Sequence, residues 1–490
     1  MKLIGSLVYF GVITFVHSAE ILSVLPLFGQ SHWNVIDSIL QTLVSSGHNV
    51  TAITPFLKKK KIYNYTEIDS SSYMNKIEAI NYNLVADDNG YSYLNAAHLK
   101  SCENLYKSKD FWKTLENHKF DLVIGHFLAS TCYSYIAYKL QVPMIYVTSD
   151  AMNARLHSLL VNPLNPSYIA SPNIPMALPT SFCQRLENFF NKMYVNIYYW
   201  WLDRKATTIG KTYFGKNAPD ASSLFKSTTV LMFINSYFTF ETSRPMIPNL
   251  IQIGGIHVSQ PKPLPEDIKQ FIEDSPDGVI YFSFGSIVKM DTLPKTMQQA
   301  FKEAFSELPQ RILWKFESDE MANQPKNVMI KKWFPQRDIL SHPNVKLFIY
   351  HGGLSGVNEA IQNKVPILGI PIFTDQFKNI ANCVHKGISI SLDHNNLNKL
   401  IILNAIKDMI GNPKYKNKAL ELFDKFNDRP VTPKQLVIYW TNYVLKFYKH
   451  EMFQNAADLE WFKYYMFDIV TLLLSSILLL VYVLRYFIEN

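Results

Sequence analysis

The chain of 490 residues is poor in cysteine and in charge. Its four cysteines, Cys102, Cys132, Cys183 and Cys383, have no metal-ligand spacing, so no zinc module is expected, and their positions select no disulfide pair. Charged residues make up only 18% of the chain against 48% apolar, which excludes a disordered polymer. The net charge of +8 is mild for this length and comes with no long basic tract. The densest run, Lys58 to Lys61, reads as a solvated loop, and nucleic acid is not an expected partner. There is also no internal repeat and no low-complexity tract. What remains is a folding chain too long for one core, hence two domains with additions.

Both ends carry addresses. Residues 1–19 read as a signal peptide: Lys2, an apolar run from Leu3 to Val16, then the small residues Ser18 and Ala19. Near the other end Ile469–Leu484 holds no charge, and aromatics flank it. Residues 467–487 are therefore expected to cross a bilayer, after a juxtamembrane segment 451–466 and before a cytosolic tail 488–490. A cleaved signal places the body in the lumen. Two sequons agree with that side, Asn49-Val-Thr51 and Asn64-Tyr-Thr66, and the compartment permits a disulfide.

Between the addresses the pattern is α/β. Apolar ILSVLPL, a loop, a helix-like stretch to Ser46 and apolar VTAIT read as strand, loop, helix, strand. FDLVIGH (Phe120–His126) and PMIYVTS (Pro143–Ser149) add further strands. From about Pro163 to Lys226 the pattern is less regular. Aromatics crowd Tyr194–Leu202, read as core with a lipid-facing patch as the alternative. Pro261, Pro263 and Pro265 mark a linker. The expected domains are 20–260 and 261–450. The second opens with GVIYFSFGS and continues through strands QRILWKF, NVMIKKW, KLFIY and VPILGIP, all apolar as buried parallel strands should be.

The stretch Trp333–Gln376 carries the densest chemistry. Ligands of open α/β sheets sit beyond the carboxyl ends of the strands. His351-Gly352-Gly353 stands there, directly after LFIY, and a helix follows near Leu354. Its free amides suit a phosphate, and the glycines let a ligand approach the backbone. Ser355 adds a hydroxyl. Glu359, four residues on, shares its helix face and suits a sugar diol. Trp333 and Gln336 offer an aromatic face and an amide to a flat base. Asp375-Gln376 closes the next strand and suits another polyol. Base, ribose, phosphate and sugar together describe a nucleotide-sugar site.

This stretch resembles the donor signature of the UDP-glycosyltransferases, the family that includes membrane-bound UDP-glucuronosyltransferases and invertebrate UDP-glucosyltransferases. The resemblance covers nearly the whole chain, through SHW near the amino terminus, Arg244–Val258, VIYFSFGS, RILWKF, Asp428–Pro433 and the terminal anchor. It implies a GT-B fold, two Rossmann-like domains facing across a cleft. The acceptor then lies mainly in the first, the UDP-sugar mainly in the second, and a hexose, by expectation glucose, passes with inversion to a small lipophilic hydroxyl compound. It implies uracil at Trp333 and Gln336, diphosphate at Ser286, His351, Gly353 and Ser355, ribose at Glu359, and the sugar at Asp375 and Gln376. Residence in the endoplasmic reticulum also follows from the resemblance. No cofactor or metal is expected, since the chain lacks the Asp-x-Asp pair that holds Mg²⁺ or Mn²⁺ against a diphosphate.

His32, in the loop after the first strand, is the expected base. The family's orienting carboxylate lies at the end of the FDLVI strand, where this chain has His126. Three explanations compete: a substitute acid, either Asp37, near in sequence, or Asp150, after the next strand; a slower enzyme, or one suited to acidic phenols that need less help; or loss of transfer with binding kept. Tyr350 replaces a small hydroxyl residue before His-Gly-Gly, and Thr374 replaces a Gly before Asp-Gln. The change at 126 also motivates a second reading, a binder of lipophiles or UDP-sugar without turnover. A phosphorylase or nucleotide hydrolase is a weaker third.

Overall fold

The structure is a computed structural model describing residues 18–25, 29–58, 60–73, 82, 89–116, 118–128, 131–150, 152–448 and 459–489. Residues 1–17 of the expected signal peptide 1–19 lie outside these, as does the first half, 451–458, of the juxtamembrane segment 451–466.

Two all-parallel sheets organise the chain. The first has seven strands in the order β3-β2-β1-β4-β5-β6-β7, formed by Glu20–Val24 (β1), Asn49–Thr54 (β2), Tyr65–Asp69 (β3), Leu122–His126 (β4), Met144–Thr148 (β5), Thr229–Ile234 (β6) and Leu250–Gln252 (β7). The second has six in the order β10-β9-β8-β11-β12-β13, formed by Val279–Ser283 (β8), Arg311–Lys315 (β9), Val328–Lys331 (β10), Val345–Tyr350 (β11), Ile367–Gly369 (β12) and Ser389–Ser391 (β13). The order reverses between β1 and β4 in one sheet and between β8 and β11 in the other, the crevice where such sheets take ligands. β4, β5 and β8 are buried along their whole length, because helices cover both faces.

The helices expected near 294–307, after His-Gly-Gly, from Asp375 and near 434–447 are present as Lys295–Ser306, Leu354–Gln362, Gln376–His385 and Pro433–Phe447. The last starts with a capping box, Thr432 with Gln435, and Pro433 in its first turn. By sequence order it was grouped with the second domain. Instead Val437 and Val444 enter the core of the first, and His48 Nε2 meets Asn442 Oδ1 at 3.1 Å. The chain therefore crosses back and ties the two domains together.

The irregular region 163–226 contains a helix of 33 residues, Phe182–Phe214, capped by Ser181 and Gln184, and the start of a second, Ala221–Thr228. The first is partly core, as expected of Tyr199 and Leu202, but Ile197, Trp200 and Trp201 are exposed. Cys102 on helix Asn89–Lys107 is bonded to Cys132 beyond β4, while Cys183 and Cys383 are free. Among the described residues one helix is long and apolar enough to cross a membrane, Phe467–Glu489, with mean hydropathy 2.4 and none of it buried.

Candidate active site

A cavity of about 640 Å³ opens between the carboxyl ends of the two sheets. On the first-domain side, three adjacent strands bring together residues far apart in sequence. Helix Gln30–Ser45 follows β1 and carries His32, β4 ends on His126, and Asp150 follows β5. His32 Nδ1 lies 3.1 Å from His126 Nε2, and His32 Nε2 lies 3.5 Å from Asp150 Oδ1. His126 is fully buried behind His32, and its Nδ1 finds no partner among the described residues.

Burial lowers His32 to about 4, partly opposed by the Asp375 carboxylate facing it from the other domain. Burial and the neighbouring His32 and His98 hold His126 well below the usual imidazole range. Both rings are therefore neutral, and one donates to the other. Enclosure raises Asp150 to about 7. Asp37 also reaches the cavity wall, but its oxygens are taken by Lys58, by Tyr65 Oη at 2.8 Å and by Gln41 Nε2 at 2.7 Å. Of the two carboxylates considered as substitutes, only Asp150 contacts His32.

On the second-domain side, β8, β11 and β12 are neighbours. They carry Ser286, His351-Gly352-Gly353 and Thr374-Asp375-Gln376 to one rim. Helix Leu354–Gln362 has no side-chain cap at Gly353, so its first-turn amides are left to the cavity. Gly352 has φ +98°, and a Cβ there would meet Ile380 at 2.6 Å. That position takes only glycine. Ser286 Oγ and His351 Nδ1 are buried without partners among the described residues, as groups awaiting a polar ligand would be. Ser355 Oγ accepts from Asn235 Nδ2 of the first domain at 3.5 Å.

Trp333 is 57% exposed at the cavity edge, an aromatic face with no covering side chain of its own core. Gln336 Nε2 donates to Glu359 Oε2 at 2.7 Å, and burial raises Glu359 to about 7. Asp375 Oδ2 accepts from Asn379 Nδ2 at 2.8 Å. The Gln376 side-chain oxygen Oε1 accepts from the backbone N–H groups of Ile372 and Phe373, at 3.0 and 3.2 Å. Every donor-side residue expected from the sequence thus lines one cavity. The sequons lie away from it. Asn49 opens β2 and donates to Glu20, while Asn64 sits in a half-buried turn at φ +60°.

Of the two departures one is packed in and the other is strained. Tyr350 is buried, stacked on Phe348 at 4.3 Å, and fills the space that a Cβ on Gly356 would enter at 2.4 Å. Thr374 adopts φ +55°, a left-handed conformation that costs a β-branched residue strain and that glycine takes freely.

Sequence reasoning missed three groups. His257, buried and lowered to about 4, reaches Ser355 O at 3.1 Å and Glu359 Oε1 at 3.9 Å from the first domain. Lys315 ends β9 on the cavity wall and depresses His351, which burial lowers to about 3. A cation closing an otherwise apolar strand was its available signal. Finally, buried Lys378, two residues beyond Gln376, faces Glu241 Oε2 at 3.7 Å, and Arg244 pairs with the same oxygen at 2.6 Å. That tie spans the domains, and no local pattern announces it.

Residues 20–489 match the family model for UDP-glucoronosyl and UDP-glucosyl transferase. The chain is similar to UDP-glucosyltransferase 2 of Dactylopius coccus, 37% identical over 96% of this chain and 92% of that protein. It is similar to UDP-glucuronosyltransferase 2B17 of Mus musculus, 29% identical over 94% and 92%. A solved UDP-glucosyltransferase of Polygonum tinctorium, 15% identical, shares the fold with TM-score 0.59 over 88% of this chain and 99% of that one.

Proposed function

The chain belongs to the UDP-glucuronosyl and UDP-glucosyl transferase family, an enzyme moving a sugar from a UDP-sugar to an acceptor, and from that premise we propose the following assignment of its parts. The donor is UDP-glucose and the acceptor a small lipophilic compound with a hydroxyl. The observation that carries this is the single cavity into which Trp333, the start of helix Leu354–Gln362, Glu359 and His32 all converge.

Uracil stacks on Trp333, and the ribose diol donates to Glu359. The diphosphate meets the free amides of residues 354–356, with Ser286, Ser355 and His351 as hydrogen-bonding partners. That helix end, with Lys315 on the same wall, offsets the leaving charge without a metal ion. Asp375 and Gln376 hold the hexose.

His126 and Asp150 divide the work of the absent carboxylate. In the competent tautomer His32 Nδ1–H donates to His126 Nε2, leaving Nε2 bare. Nε2 takes the acceptor proton as its oxygen attacks the anomeric carbon. Asp150, ionised, stabilises the imidazolium that forms. The body lies in the lumen of the endoplasmic reticulum, anchored by Phe467–Glu489.

The test is the full-length protein in detergent with UDP-glucose and a panel of phenols, reading both glucoside and UDP. Glucoside formation that disappears in His32→Ala supports the assignment. UDP binding without transfer to any phenol would favour the binding protein, and free glucose without acceptor the hydrolase.

A further inference from the structure

The segment that follows β6 grips both helices that line the donor side. Asn235 meets helix Leu354–Gln362, whose Asn358 Nδ2 donates to the Asn235 carbonyl at 3.1 Å. Phe240 is fully buried in the apolar core of the second domain. Glu241 then reaches helix Gln376–His385, where Lys378 Nζ stands 3.7 Å from Glu241 Oε2. Asp375 and Gln376, assigned to the hexose, stand at the head of that helix. Three residues, about 4.5 Å of helix axis, separate Asp375 from Lys378. Asn379 fixes the same turn to its own domain, its Nδ2 donating to Gly352 O at 3.0 Å.

Lys378 does little for stability. Its side chain has no exposure, and Glu241 is already paired with Arg244 at 2.6 Å. The three groups together carry one more positive charge than negative. Burial lowers Lys378 to about 8, with Glu241 and Asp375 opposing and Arg244 adding to the fall. Desolvation of such an ammonium offsets its attraction to the carboxylate, so the pair contributes little to the folding free energy. What the pair does fix is geometry. It joins the domain that carries His32 to the turn that carries Asp375, and the Asp375 carboxylate faces His32 across the cleft.

We propose that Lys378 is a positioning residue for the transfer: by pairing with Glu241 across the cleft it sets the distance between the hexose at Asp375 and Gln376 and the base His32. Nucleotide binding at Trp333 and Glu359 does not depend on it. The inference rests on the hexose assignment given above and adds the group that registers the hexose against the other domain.

The test compares the full-length protein in detergent with its Lys378→Met variant. It reads thermal unfolding, UDP affinity by calorimetry, and both glucoside and free glucose formed from UDP-glucose with a phenol. Removing Lys378 leaves Glu241 with Arg244, so no buried carboxylate is stranded, and Tm should hold or rise. UDP affinity should be unchanged. The kcat for glucoside should fall about 10–100-fold, since a displacement near 1 Å at the reacting centre costs about that much. Water then competes better with the misaligned acceptor at the anomeric carbon, releasing glucose and UDP, so free glucose should rise as a share of product. A second variant, Lys378→Arg, keeps a charge that does not titrate. The groups facing Lys378 are Glu241, Arg244, Asp375 and His157, and Glu241 and His157 are both held below their usual ranges. Wild-type kcat should therefore fall as pH rises through about 8, where Lys378 loses its proton and the pair its charge, and the arginine variant's profile should lack that fall. A folded Lys378→Met protein that transfers at the wild-type rate overturns the proposal. So does a loss of rate matched by an equal loss of folded protein or of UDP binding, which makes Lys378 a structural residue. If the methionine variant does not fold, the arginine variant decides: a fall through pH 8 shared with wild type overturns the proposal. Wild-type protein that glucosylates no phenol overturns the hexose assignment itself, and this inference with it.

Discussion

Glu359 sits on helix Leu354–Gln362 with its side chain 11% exposed, and burial raises its carboxyl from 4.5 to about 7. An acid whose pKa rises on folding holds its proton more tightly folded than unfolded. Its contribution to stability is whole below 4.5 and is lost as pH rises to 7. The displacement corresponds to roughly 3 kcal/mol, at about 1.4 kcal/mol per pKa unit. Glu359→Gln keeps the shape and a hydrogen-bonding oxygen toward Gln336 and removes the charge. The unliganded variant should match wild type at pH 5 and gain up to about 3 kcal/mol at pH 8, several degrees in Tm. UDP affinity should move the other way. Losing charge-assisted hydrogen bonds from the ribose costs about 1.5–3 kcal/mol, a factor of roughly 10–100 in Kd. Wild-type binding at pH 6 should release a proton, because the diol needs a carboxylate, and the variant should release none. Thermal unfolding at both pH values and calorimetric titration with UDP in buffers of different ionisation enthalpy read all three. A variant less stable than wild type at pH 8, or one that binds UDP as tightly, refutes the reasoning.

Other outcomes follow from the same geometry. Asp150→Asn should cost about 10²–10⁴ in kcat/KM, the usual worth of proton-transfer machinery. Wild-type activity should fall as pH drops through about 7, where Asp150 gains its proton, and a pH–rate profile of the variant should lack that limb. Gly356→Ala drives a Cβ to 2.4 Å from the Tyr350 ring, an overpacking cost of about 1–3 kcal/mol. Combined with Tyr350→Ser it should cost less than the two changes summed, seen as positive coupling in a double-mutant cycle of urea unfolding. Thr374→Gly removes about 1–2 kcal/mol of left-handed strain and adds about 0.5–1 of chain entropy. Urea unfolding should show a net gain of no more than about 1.5 kcal/mol. Replacing both Cys102 and Cys132 by Ser opens a loop with sequence separation 30. It should cost about 3–4 kcal/mol in a reversible urea titration.

Most central strands were legible because a parallel strand covered on both faces is apolar throughout, a local property of the sequence; the edge strands Tyr65–Asp69 and Ser389–Ser391, partly exposed, and Thr229–Ile234 and Leu250–Gln252 were not read. The donor-side residues were legible too, since Ser286, His351 and Asp375 each follow the carboxyl end of an apolar strand in the sequence. The long helix Phe182–Phe214 was not legible: one stripe packs inward and another faces outward, so no single face shows a helical period. The choice between Asp37 and Asp150 was equally closed to local reading. Asp37 lies five residues beyond His32, about 140° around the same helix, and turns to Lys58. Asp150 is 118 positions along the chain and reaches His32 because β1, β4 and β5 are neighbours in the sheet. The return of helix Pro433–Phe447, the disulfide and the Glu241–Arg244–Lys378 tie belong to the same class. The sequence by itself determined most of the central strands, several of the helices and which chemistry stands at their ends. The tertiary structure alone decided which ends meet, because strand order and the crossing of chains between domains are settled by packing across distances that no local pattern records.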